Sequence, residues 1–102
     1  MAKMAIVVEF ETKPGAYNEF EKLIRTHAEN CLKLEPGCLR FEVAVPLDEN
    51  GKKLENKIVL NELYTDANAV EEHKATDRMK QLQVKFDELL LTRKLVLSEL
   101  FD

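Results

Sequence analysis

An amide, a carboxyl, a phenol and an imidazole fall within one stretch, Ile58–His73, as Asn61, Glu62, Tyr64 and His73. These are the groups a proton-transfer site uses. Histidine exchanges a proton near neutral pH with little tuning. Asparagine or tyrosine can hold a developing oxyanion by hydrogen bonds. His73 is therefore the candidate base or proton shuttle, with His27, Asn61 and Tyr64 orienting a substrate. Each has a plainer reading. His73 could be a helix-end side chain that bonds a carboxylate or favours the negative end of the helix dipole. His27 falls inside an apolar stripe, where a hydrogen-bonded core histidine is the alternative. Glu62 sits mid-strand among apolar neighbours and needs a partner or a raised pKa. An ion pair with Arg40 or Arg93 across strands competes there with a catalytic role. Tyr64 shares the strand face of Glu62 and could be a core or interface aromatic whose hydroxyl reaches water. Phe41, Met79 and Phe86 read as core residues that could also wall a flat aromatic ligand. No protein metal site is expected, because the histidines lie on different helices without an i, i+4 pairing or a cysteine cluster. The sequence also lacks a phosphate-binding glycine loop, a G-x-S-x-G elbow and a dinucleotide fingerprint.

The elements that must position these groups follow from periodicity. Met4–Thr12 alternates, with Met4, Ile6, Val8 and Phe10 on one face, and Lys13-Pro14-Gly15 ends the strand. Tyr17–Leu34 carries an apolar stripe at spacings of three and four that includes Phe20, His27 and Cys31, which predicts a helix. Glu35-Pro36-Gly37 stops it. Cys38–Val45 reads as a strand with Leu39, Phe41 and Val43 facing one way, and Pro46–Lys57 as a polar hairpin connection turning at Asn50-Gly51. Ile58–Tyr64 is the third strand. Thr65-Asp66 caps a short helix from Ala67, and Thr76 or Asp77 caps a further helix bearing Met79, Leu82, Phe86 and Leu89/Leu90. Periodicity leaves open whether these two helices are one kinked helix. Lys94–Phe101 is the last strand. The order β-α-β-β-α-β predicts an α+β, ferredoxin-like fold, an antiparallel sheet with helices on one face. Its strands are apolar on both sides, with Val7, Val59, Leu63, Val96 and Leu100 set opposite Val8 and Leu60. No element is left to cover the second face, so a homodimer through the sheet face is expected.

Composition sets the outer limits. A chain of 102 residues with 45% apolar and 33% charged content suits one folded domain spanning 1–102. Its net charge of −4, with no basic cluster beyond Lys52-Lys53 and Arg93-Lys94, argues against nucleic acid or an anionic membrane as partner. No apolar run approaches membrane-spanning length and no signal peptide is evident, so a cytoplasmic location is expected. Two cysteines, Cys31 and Cys38, are expected as reduced, partly buried thiols.

The run Glu35-Pro36-Gly37-Cys38-Leu39-Arg40-Phe41-Glu42-Val43, joined to Asn61-Glu62-Leu63-Tyr64 and Ala69-Val70-Glu71-Glu72-His73, resembles the antibiotic biosynthesis monooxygenase family, above all its quinol monooxygenases. The resemblance implies a dimeric α+β barrel whose protomers each hold a pocket between sheet and helices. It also implies oxidation of a small phenolic or quinol-like substrate by O2 as co-substrate, without metal or flavin. His73 matches the family histidine near the end of the short helix. His27-Ala28 stands where members often have Asn or His followed by Ala, and Cys31 where they have Ser. Asn61 departs from a common tyrosine and Arg78 from a common second histidine. The family's haem-degrading branch matches less well: this chain has no tryptophan and shows Gln83 where that branch has its haem-ligating histidine, so no haem is expected. Two other readings stay open: isomerisation of a small keto-enol compound on the same scaffold, since the family includes an isomerase-like enzyme that processes a quorum signal, and a non-catalytic dimeric module that binds a small aromatic or enolic ligand.

Overall fold

The computed structural model describes residues 2–101. In chain order it contains β1 (Met4–Thr12), α1 (Tyr17–Leu34), β2 (Cys38–Ala44), β3 (Lys57–Tyr64), α2 (Ala67–Lys74), α3 (Asp77–Leu89) and β4 (Leu90–Glu99). The strands form one antiparallel sheet in the order β2-β3-β1-β4. This is the expected ferredoxin-like α+β architecture, with all three helices on one face. No helix among the described residues is long and apolar enough to cross a membrane.

Alternation on the two central strands builds the core. Ile6, Val8 and Phe10 of β1 and Ile58, Leu60, Glu62 and Tyr64 of β3 are buried on the helix side. The α1 stripe closes over them through Phe20, Ile24, His27, Ala28 and Cys31. Phe10, Phe20 and Phe86 pack as an aromatic trio, with ring centroids 5.0 to 5.7 Å apart. On the other face Val7 and Val96 lie in register on neighbouring strands and are exposed, so the apolar character expected of both faces is present.

Two helices replace the ambiguous single one. Asp66 caps α2 by accepting from Ala69 N at 2.9 Å, and Thr76 caps α3 by accepting from Met79 N at 3.2 Å. The extended backbone of Thr76 (ψ 150°) separates them. β4 begins at Leu90, earlier than the expected Lys94, because α3 passes into it without a loop and Thr12 pairs with Leu90 across a register shift. In β2 another register shift, between Cys38 and Arg40, corrects the expected facing: Cys38 and Phe41 are buried while Leu39 is exposed. The polar connection turns at Asp48, whose Oδ1 accepts from Asn50 N and Lys52 N at 2.8 and 2.9 Å.

Candidate functional site

The helices do not fill the space above the sheet. A cavity of about 420 Å³ remains between α1, α3 and the strands, walled by Phe41, Leu60, Met79, Leu82 and Phe86, with His27, Glu62 and His73 at one end. Lys74, Gln83 and Arg93 also line it, and the rest of the wall is apolar, an arrangement suited to a small aromatic ligand.

Glu62 is 6% exposed and pairs with no cation. The expected ion pair is absent because Arg40, one position past the β2 register shift, lies against Glu42 at 3.9 Å. Arg93 instead bonds the Gln83 side chain and sits 5.4 Å from the Phe86 ring. Among the described residues, the only side-chain hydrogen bond to the Glu62 carboxyl comes from Tyr64, whose hydroxyl donates to Oε1 at 2.6 Å. Burial raises the Glu62 pKa from the ordinary 4.5 to about 7, against the lowering effect of that hydrogen bond. Burial and the neighbouring Glu62 charge push the Tyr64 hydroxyl far up, so it remains a donor.

His73 is oriented by a residue whose neighbours suggested only a helix stop. Its Nδ1 lies 2.8 Å from Glu35 Oε1, and Arg78 Nη2 donates to Glu35 Oε2 at 2.7 Å. Burial acts to raise the Glu35 pKa, but the bonds from Arg78 and His73 outweigh it, and the net shift is downward. The carboxylate is therefore an acceptor, which places an imidazole proton on Nδ1. Gly37 brings these groups together: a Cβ there would stand 2.4 Å from the Ala69 Cβ, so glycine lets α2 settle against the start of β2.

His27 is 6% exposed, edge-on to Phe41 with centroids 5.3 Å apart, and 5.7 Å from the His73 ring. Burial first, then the neighbouring His73 and Arg78, lowers its pKa to about 4, so the ring is neutral at physiological pH. One helical turn on, the Cys31 sulfur lies 3.4 Å from His27 Nε2 and 3.8 Å from His73 Nδ1. Both cysteines are free and buried, and burial raises both thiols, Cys38 to about 11. The pairing that sequence inspection sought between two histidines exists between a histidine and a cysteine.

The structure thus brings His27, Glu62, Phe41, Met79, Phe86 and His73 around one chamber, while Tyr64 is fully buried outside its lining and reaches it only through Glu62. It does not bring Asn61, which pairs with Val7 and Glu42 on the opposite sheet face. The model for antibiotic biosynthesis monooxygenases matches residues 4–85. The chain belongs to that family. Solved structures with the same fold include a candidate antibiotic biosynthesis monooxygenase from Caulobacter crescentus (22% identity, TM-score 0.87, covering 99% of this chain and 92% of that one). Another, from Nitrosomonas europaea, is 21% identical at a TM-score of 0.83, covering 98% and 91%. A conserved protein from Methanosarcina mazei is 22% identical at a TM-score of 0.83, covering 96% and 92%. No curated protein matches the sequence. Within this antibiotic biosynthesis monooxygenase domain, Glu35 and Arg78 are the site residues that sequence reading missed. Glu35 stood in the quoted Glu-Pro-Gly run, and Arg78 at a position where the family often has histidine.

Proposed function

We propose that the protein is a cofactor-independent monooxygenase of a small quinol or phenol, with Glu62 as the base. The supporting observation is a buried carboxyl with a pKa near 7, in no ion pair among the described residues, on the wall of a largely apolar chamber. A phenol entering with its hydroxyl toward Glu62 loses that proton to the carboxylate, and the resulting anion is electron-rich enough to pass an electron to O2. Recombination at a ring carbon gives a peroxide, and loss of water leaves a carbonyl. One oxygen atom enters the product and the other leaves as water, carrying the hydroxyl and ring hydrogens. The neutral His27 ring supplies a donor for the developing oxyanion, and His73 contacts a second substrate hydroxyl. This moves the base from His73 to Glu62 and leaves Asn61 without a part.

The protein acts as a homodimer in this proposal, joined through the sheet face that carries Val7 and Val96. Oxygen uptake with a panel of hydroquinones tests the reaction. The expected result is uptake with one member and a loss of at least roughly 100-fold in Glu62→Gln, the scale of a lost general base. Spectral change of the substrate without oxygen would instead favour the isomerase reading. No uptake with any member, or uptake unchanged in Glu62→Gln, would overturn the assignment.

A further inference from the structure

We propose that His27, Cys31 and His73 form a binding site for a zinc-class divalent cation, a property beyond the oxygenase reading that competes with it for the two histidines. His27 and Cys31 stand one turn apart on α1, and α2 delivers His73 to the same point. One ligating atom from each residue lies within 4.8 Å of the others, and all three side chains are buried. Tetrahedral zinc, with bonds of about 2.0–2.1 Å to nitrogen and about 2.3 Å to sulfur, requires N···S edges of roughly 3.6 Å. The sulfur-to-nitrogen separations here, 3.4 Å to His27 Nε2 and 3.8 Å to His73 Nδ1, bracket that value. Two imidazoles and a thiolate are a donor set that selects borderline-soft ions over magnesium or calcium.

Binding replaces the Cys31 S–H bond with a sulfur–metal bond and releases the thiol proton to solvent. Coordination through His73 Nδ1 also displaces the proton shared with Glu35, which Nε2 or solvent takes up. Glu35 Oε1, 2.8 Å from that nitrogen, then becomes the nearest oxygen for the fourth position, while Arg78 keeps Oε2. Thiolate and carboxylate set two negative charges against the three of the ion and Arg78, whose Nη1 donates to Cys31 Sγ at 3.8 Å, so the loaded site keeps one net positive charge, on the part-exposed Arg78 side. The metal-loaded arrangement and the Glu35-held imidazole are alternatives, and a bound ion occupies the two histidines that otherwise face the substrate beside Glu62.

Cobalt(II), added anaerobically to the reduced full-length protein, is the probe. Expected are saturation at one equivalent per chain, a thiolate-to-cobalt charge-transfer band, and a melting temperature that rises with free metal. Cys31→Ser should abolish the band and weaken binding beyond the roughly 10–100-fold seen for outer-shell losses. Cys38→Ser should change neither. If Cys31→Ser does not fold, His27→Gln carries the test through the same loss of stoichiometric binding. Failure of the folded protein to saturate at one equivalent, or a band that persists without Cys31 or passes to Cys38, would overturn the site.

Discussion

At Glu62 the burial that tunes the carboxyl for proton transfer works against the fold. A carboxyl raised from 4.5 to about 7 favours the folded state most below the unfolded pKa and loses that contribution as pH rises through about 7. Glu62→Gln keeps an acceptor for Tyr64 and removes the charge. It should be more stable than wild type by of order 2–3 kcal/mol at pH 8, with the gap closing as pH falls toward 4.5; thermal melts across that range check it. Glu35 is the opposite case. Glu35→Ala strips His73 Nδ1 and Arg78 of their shared acceptor and should cost about 1–3 kcal/mol, read from urea midpoints. Much of this was legible. Period-two alternation alone sets Glu62 and Tyr64 on one face and Asn61 on the other, so grouping all three by polarity overrode a signal already in the strand. The part of Glu35 was not legible, because it depends on α2 arriving beside a helix end far away in sequence.

The element that sets the site is α2, seated by the contact between Gly37 and Ala69. Gly37→Ala must push α2 away and should destabilise by about 1–3 kcal/mol, as overpacking does. Ala69→Gly in the same chain should recover part of that loss despite its helix-propensity cost of roughly 1 kcal/mol. A double-mutant cycle by denaturant unfolding measures the coupling, and purely additive losses would contradict the contact. Helix starts were legible here because Asp66 and Thr76 are side-chain caps with a local mechanism. The split between α2 and α3 was not, since apolar spacing runs through both. The facing of Leu39 and the start of β4 escaped for a related reason: register shifts are set by the partner strand, not by the strand's own sequence.

For the whole molecule, the exposed apolar face of the sheet is the feature the chain leaves uncovered. Val96 is 48% exposed beside Val7, its register partner on β1. The account expects a dimer at micromolar concentration by analytical ultracentrifugation and a folded monomer for Val96→Lys; a wild-type monomer would remove the sheet-to-sheet partner. The central claim, that Glu62 takes the substrate proton, is tested most directly by oxygen uptake as a function of pH. A base must be deprotonated to act, so kcat/KM for the best hydroquinone should rise with pH, reach half its limit near 7, and fall roughly tenfold per unit below that. Glu62→Gln should lose both the rate and this inflection. A wild-type profile flat from pH 5 to 9, or an inflection near 7 that survives in Glu62→Gln, would contradict the account.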